Sequence, residues 1–501
     1  MRAAARRAAN RDAIHNRDQD VRIPWTSRNF QAALLISAAV IASIAYLVFH
    51  APGKSQEYAA LRADFENGRY QECIDRVVSQ PQVFMDDQAR AATANLSTLE
   101  ATKTYPMVMP DADFLRRRVF YAKVAAQLKR DDPRETVMAV FNYVAENVAS
   151  VSGPGEKAGI GVTPDTILLR GYGVCDRGAW LFCTLLENLR IPAWLVYLRE
   201  PATGISHHTV AAAEIDGKLY LFDTYCGLPV ANAAGKVATF QGVLADPASI
   251  DSATFGGKPQ LVKSAEVANC ALLLAPEPES VHPIAAALQS ALPQGARHLE
   301  ETPVLYCDYR KALIHLGSTL WPGVPVSDQG CRIRNAKAGY FIGVWDYPFR
   351  IGWNLRLADY RKEVNAAHPW LWKLREARLG TILGEDPQAN ATAYGAMIAA
   401  LPPDDPARAA AEYFQAVALL RRSAADGEPA VVKFLEKHPK SIWREPLLQA
   451  VGEMLVNEGR FLDACVYLEQ ITGPRALRAA AFIQAARESR KPPILAGRAM
   501  Q

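Results

Sequence analysis

Residues 169–189 read "LRGYGVCDRGAWLFCTLLENL". A glycine-rich turn, Gly171 and Gly173, leads into Cys175. From there Ala179, Trp180, Phe182, Cys183, Leu186 and Leu189 return every three or four positions, which predicts a helix with a wide apolar face inside a core. Cys175 therefore stands on the first turn of that helix. A helix start carries unpaired N–H groups and the positive end of the dipole, a setting that suits a thiolate, the nucleophilic form of cysteine. Cys183, two turns on, faces the packed side and is expected to be inert. A cysteine at a helix start can equally be structural, so the next segments decide.

"IPAWLVYL" (191–198) reads as a strand, and "HHTVAAAEIDGKLYLFDTYCG" (207–227) as a hairpin. Asp216-Gly217 is the signal for a two-residue turn, because both central positions of a type I′ turn need positive φ. Pairing Ile215 with Lys218 sets Asp223 opposite Val210. Side chains alternate faces, so His208, Val210 and Asp223 share one face and His207 takes the other. His208 and Asp223 are then diagonal neighbours, roughly 7–8 Å apart at Cα. A β-bulge near Ala211 would reverse the choice of histidine. A nucleophile needs a base within reach, and the base an orienting acceptor. Cys175, His208 and Asp223 fill those roles in chain order; the bland alternative is a surface His–His pair and a strand-end Asp.

These residues carry a resemblance. "GYGVCDRGAWLFCTLLENLRIPAWLVYL" is similar to the nucleophile segment of the transglutaminase-like superfamily, in which a Gly-x-Cys helix precedes Ile-Pro-Ala and a strand. "HTVAAAEIDGKLYLFD" resembles its His-to-Asp hairpin, and "DDPRETVMAVFNYVAENV" (131–148) the helix before the motif. The likeness covers about residues 130–230, a fifth of the chain. Two positions depart: Thr209-Val210 stands where Ala-Trp is frequent, and Leu219 where an aromatic residue is common. The resemblance implies an α+β, papain-like core with the Cys-bearing helix on an antiparallel sheet. It implies acyl transfer through a thioester on Cys175, with no metal or organic cofactor.

Outside the motif, charge and hydropathy set the frame. The chain has 501 residues, half of them hydrophobic, enough for two to four domains. Residues 1–29 hold seven Arg and three Asp; the remainder has 49 basic and 49 acidic residues. No basic field is left for nucleic acid, which sets that class aside. From Ala32 to Phe49 runs an 18-residue uncharged stretch. With its flanks it is long enough for a bilayer core of about 30 Å. It is longer than the usual signal-peptide apolar region, and the arginines before it place the N-terminus in the cytoplasm. Residues 30–50 are thus expected to be a single-pass anchor in the inner membrane, with the bulk of the chain periplasmic or otherwise extracytoplasmic. A buried core helix or a cleaved signal peptide are the competing readings.

The eight cysteines show no C-x-x-C pair and no zinc spacing, although Cys307 with Cys331 could form a disulfide in an oxidising compartment. His282, His298, His315, His368 and His438 are scattered and suggest no metal site. "NGRYQEC" (67–73) and "EGRFLDAC" (458–465) share the grammar of a helical-hairpin turn and resemble tetratricopeptide-type repeats; ordinary helical hairpins are the alternative. The expected organisation is a basic tail (1–29), an anchor (30–50), a repeat-like helical region (51–128), the Cys-His-Asp core (129–235), a mixed α/β region without a chemical motif (236–385), C-terminal helical repeats (386–490) and a tail (491–501).

Two functions follow as expectations. The first is a membrane-anchored thiol hydrolase or acyltransferase acting on protein or peptide amides. The second is a catalytically silent scaffold that binds partner proteins through its helical repeats. An electron-carrier or metal role lacks any supporting spacing.

Overall fold

The computed structural model describes residues 110–152, 163–275, 306–323, 332–334, 339–345, 369–403 and 405–500, with isolated positions between 56 and 76. The chain divides into two units, Met1–Ala60 and Leu61–Gln501, and the elements described here belong to the second. The expected anchor, most of residues 51–109 within the repeat-like region 51–128, and Cys331 lie outside the described residues. Among the described residues no helix is long and apolar enough to cross a membrane.

Four helices open the second unit: α1 (Pro110–Leu128), α2 (Pro133–Asn147), α3 (Pro164–Arg170) and α4 (Cys175–Asn188). Their starts follow local chemistry. Asp132 caps α2 by accepting from the Arg134 N–H at 2.8 Å, and Pro133 and Pro164 occupy first-turn positions where no N–H is needed. α4 is the predicted cysteine helix, and Ala179, Trp180, Leu181, Phe182, Leu185 and Leu186 on it are fully buried. Each large apolar side chain of that kind contributes about 1.5–3 kcal/mol. Phe182 meets Phe141 of α2 and Phe222 of the sheet at ring separations of 6.1 and 5.2 Å.

Behind α4 lies the sheet. It begins with β1 (Ala193–Arg199), β2 (Ser206–Ile215), β3 (Lys218–Asp223) and β4 (Leu228–Pro229). Short elements follow: α5 (Phe240–Ala245), α6 (Pro247–Asp251), a two-stranded hairpin of β5 (Thr254–Phe255) and β6 (Lys258–Pro259), and α7 (Ser264–Ala268). Then come β7 (Ala271–Leu274), α8 (Tyr306–Leu320), β8 (Arg332–Arg334) and β9 (Phe341–Val344). Seven strands share one sheet in the order β4-β3-β2-β1-β7-β9-β8. All neighbours are antiparallel except β7 with β9, which run parallel. Within the expected core, β1–β4 are antiparallel, and the sheet continues past residue 235, where the parallel pair lies.

Both faces of the sheet are covered. Leu195, Ala211, Ala213, Tyr220 and Phe222 face α1–α4; the alternate residues Val196, Val210, Ala212, Leu219 and Leu221 pack with Phe240, Val267, Leu313 and Leu316 from α5, α7 and α8. Strands buried on both sides explain why this segment reads as nearly continuous hydrophobics. Trp345, just after β9, is buried and meets Trp180 edge-on at 5.0 Å.

The C-terminal helices are α9 (Pro369–Ile382), α10 (Pro387–Ala400), α11 (Pro406–Leu420), α12 (Ala424–Lys437), α13 (Arg444–Asn457), α14 (Phe461–Leu468) and α15 (Ala476–Arg487). Successive helices pack on each other around a second core. At "EGRFLDAC", Gly459 takes positive φ in the turn between α13 and α14, and the small residue Ala464 is fully buried. This array sits directly on the first core: Arg378 donates to the Asn147 carbonyl at 2.9 Å and Arg421 to the Asn147 side chain at 2.8 Å. Residues 493–500 are no loose tail. Tyr220 donates its hydroxyl to the Met500 carbonyl at 2.7 Å, and Ala499 and Met500 are buried.

Candidate active site

Cys175 is the first residue of α4. Val174 before it is extended and gives no side-chain cap, and its carbonyl accepts the Arg177 N–H at 3.1 Å. Two glycines make the placement possible. Gly171 has φ +76°, ends α3, and accepts the Phe414 ring from the array where a Cβ would stand 2.7 Å away. Gly178, one turn past Cys175, lies so close to Thr224 that a Cβ would be 2.9 Å from its hydroxyl oxygen. The Cys175 helix therefore rests on the residue that follows Asp223.

The hairpin folds as its turn dictates. Asp216 and Gly217 both have positive φ, 53° and 71°, and Ile215 pairs with Lys218. The register then runs without interruption to Ala211 opposite Phe222. A bulge does occur, but elsewhere: β1 pairs Leu198 with His208 and Arg199 with Ser206, leaving His207 as the extra, exposed residue. His208 thus keeps the inward face. Its Nε2 lies 2.8 Å from an oxygen of Asp223. With Nε2 engaged, Nδ1 is the ring nitrogen left free to face Cys175, whose proximity helps to favour the charged ring. Of the three predicted residues, His208 and Asp223 meet directly, and Cys175 stands beside the same ring.

Asp223 closes β3 and is buried. One of its oxygens faces His208; the other accepts the N–H groups of Tyr225 and Cys226 at 3.0 and 2.9 Å. Burial opposes its charge, but His208 and the Cys226 contacts outweigh that and hold the carboxyl below its usual range. Burial also opposes the charged form of His208; the charge and hydrogen bond of Asp223, followed by those of Cys175, overcome it and raise the ring to about 10. The Tyr225 ring meets the His208 ring edge-on at 5.9 Å and limits its rotation.

Around the sulfur the surroundings are mixed. Asp176 pairs with Arg177 at 2.7 Å, yet burial pushes its carboxyl up and one oxygen is buried without a partner. Burial, with the charges of Asp176 and Cys175 adding to it, also pushes the Tyr197 phenol up. Cys183 is buried and burial raises its thiol, as expected of an inert residue.

Cys226 is the residue sequence reading missed. It is buried three positions after Asp223, and its thiol is pushed up by burial and by the Asp223 charge. His208, Asp223 and Cys226 hold potential ligand atoms within 4.8 Å of one another. Both Asp223 oxygens are already engaged, one by His208 and the other by the Tyr225 and Cys226 N–H groups. No sequence signal marks Cys226, since it matches no spacing motif.

Residues 120–234, under a quarter of the chain, match the model of a family described as transglutaminase-like domain. This segment is therefore a transglutaminase-like domain, followed by a C-terminal helical region. No curated protein and no solved structure matched the chain.

Proposed function

We propose that this transglutaminase-like domain performs thiol acyl transfer on protein or peptide amides outside the cytoplasm, with hydrolysis ahead of crosslinking. The observation that carries the reading is the His208–Asp223 contact at 2.8 Å beside the Cys175 sulfur. The uncharged stretch 32–49, with seven arginines before it, supports an inner-membrane anchor.

The chemistry follows from where the proton sits. The Cys175 sulfur attacks the amide carbonyl carbon, and the Nδ1 proton of His208 passes to the departing nitrogen as the C–N bond breaks. A thioester remains on Cys175. Water, deprotonated by the now neutral ring, attacks the thioester, releases the acid and returns the sulfur to its resting state. Asp223 holds the ring's tautomer and stabilises its cation. An amine in place of water would give crosslinking by the same steps.

A vinyl sulfone probe with site-resolved mass spectrometry tests the reading. Cys175 should label far faster than Cys183, Cys226, Cys270 and Cys465, and His208→Ala should slow it. Equal labelling of several thiols, with no effect of His208, would leave the second reading, a silent scaffold. That reading has one observation in its favour: Leu462 and Val466, one turn apart on α14, are 83% and 63% exposed, a small apolar strip that suits a protein partner. Partner capture retained by Cys175→Ala and lost on charging that strip would support it.

A further inference from the structure

We propose that Arg475, at the start of α15, is a positioning residue for Asp223, so that the C-terminal helical array completes the reaction centre. The inference rests on the thiol acyl-transfer reading above and extends it to a residue 300 positions beyond Cys175.

The path is a short chain of hydrogen bonds. Arg475 is buried; its Nε donates to the Ser150 hydroxyl at 2.9 Å and a terminal nitrogen donates to the Val148 carbonyl at 3.0 Å. The Ser150 hydroxyl donates to the Tyr225 carbonyl at 2.6 Å. The amide of that carbonyl carries the Cys226 N–H, which donates to Asp223 at 2.9 Å; the Tyr225 N–H donates to the same oxygen at 3.0 Å, and Asp223 meets His208. Each link is ordinary. Together they run from the last long helix to the imidazole.

A second contact fixes the same turn. Gly227, at φ +71°, leaves a space in which a Cβ would be 2.0 Å from the Arg475 guanidinium. Arg478, one turn along α15, donates to the Gly227 carbonyl at 2.7 Å while its other nitrogens pair with Glu453 at 2.6 and 2.7 Å. The segment 224–227 thus carries Asp223 on one side and is gripped by two arginines on the other.

The two arginines differ in a telling way. Arg478 has a carboxylate partner, the ordinary condition for a buried cation. Among the described residues Arg475 has no carboxylate within ion-pair distance, and one of its nitrogens is buried without a hydrogen-bond partner. A buried guanidinium left in that state is costly. Burial, then the charge of Arg478, brings it down to about 10, against the supporting charges of Glu453, Cys226 and Asp223. A residue kept only to join two cores would be better served by a paired arginine or an apolar side chain of the same volume. The unpaired charge is accounted for if its partner is the polarised Ser150–Tyr225–Asp223 path.

The test is site-resolved alkylation of Cys175 by iodoacetamide in the full chain, at pH 6 and pH 9, with thermal melting measured in parallel. Arg475→Met should lower the pH 6 rate about ten-fold, the scale of one lost charge-assisted hydrogen bond, while the pH 9 rate stays within about two-fold. Arg475→Lys should restore part of the pH 6 rate. A purely structural residue would shift the melting temperature and leave the ratio of the two rates alone. If Arg475→Met leaves both rates as in the wild type, the proposal is wrong. Should that variant fail to melt cooperatively, Ser150→Ala, which deletes only the central oxygen of the path, decides by the same ratio. His208→Ala separates the layers: if it too leaves the wild-type rates unchanged, the acyl-transfer reading itself has failed.

Discussion

Two histidine–carboxylate pairs of matching length occupy different regions of the molecule. His208 Nε2 lies 2.8 Å from Asp223 in the sheet core, and His438 Nε2 lies 2.7 Å from Glu412 in the array. Ring geometry does not separate them; their surroundings do. Asp223 is buried, with its second oxygen taken by two backbone N–H groups and a sulfur on the far side of the ring. Glu412 shares its oxygens with Lys437 at 2.6 Å and Arg408 at 3.3 Å, so its remaining partners are cations. Burial opposes the Glu412 charge, but Lys437 and His438 outweigh it and hold the carboxyl low. An imidazole beside a carboxylate is a common ion pair. The pair in the sheet differs in having a cysteine at a helix start beside it, which is the basis of the acyl-transfer proposal.

The largest effect should come from breaking each pair in turn. His208→Ala should slow Cys175 labelling by a factor on the order of 10²–10⁴, the usual worth of a positioned acid–base group. His438→Ala should leave it within two-fold, about the scatter of such measurements. Equal losses would show that both histidines act through folding alone.

The next contrast concerns charge and pH. The folded His208 ring is raised to about 10, above the ordinary histidine value of about 6.5 in the unfolded chain. Its contribution to stability is therefore complete below about pH 6.5 and lost as pH rises through about 10. Asp223, held low, contributes above the ordinary carboxylate range and loses its contribution as pH falls through its folded value. Denaturant unfolding of wild type and His208→Gln should differ most near pH 6 and converge towards pH 10. A gap that widens with pH would contradict the ion pair.

Much of the centre was legible in the chain because it is local. Cys175 is fixed by a periodic helix, and His208 and Asp223 by one Asp-Gly turn. The bulge at His207 falls outside the stretch whose register matters, so the hairpin arithmetic survives it. What escaped is non-local. β7 and β9 are four-residue strands about 70 positions apart, too short for periodicity to identify and joined in parallel across a long connection. Arg475 and Ser150 meet across 325 positions, and no pattern in either segment announces it. The docking of residues 493–500 was equally silent, because its anchors are backbone carbonyls of Ala499 and Met500.

Ion pairs at the junction and at the surface sharpen the contrast further. Arg478→Met should cost about 3–5 kcal/mol, since it strands the buried Glu453 carboxylate. Arg487→Ala, which breaks an exposed pair with Glu469, should cost about 0–1 kcal/mol. Equilibrium denaturation in urea distinguishes them.

Two glycines extend the same contrast to backbone geometry. Gly178→Ala forces a Cβ against Thr224 and should cost about 1–3 kcal/mol while also slowing Cys175 labelling. Gly459→Ala, at φ +78° in open space, should cost about 1–2 kcal/mol of backbone strain and leave labelling unchanged.

The most direct measurement is capture of the acyl-enzyme. Full-length protein is mixed with an activated acyl ester, quenched within seconds, and its cysteines are mapped by mass spectrometry. Wild type should carry a hydroxylamine-sensitive acyl group on Cys175 alone, and it should disappear on standing as water takes it. In His208→Ala the group should form slowly and persist. Acylation spread evenly over the thiols, or formed and lost at the same rates without the imidazole, would contradict the account.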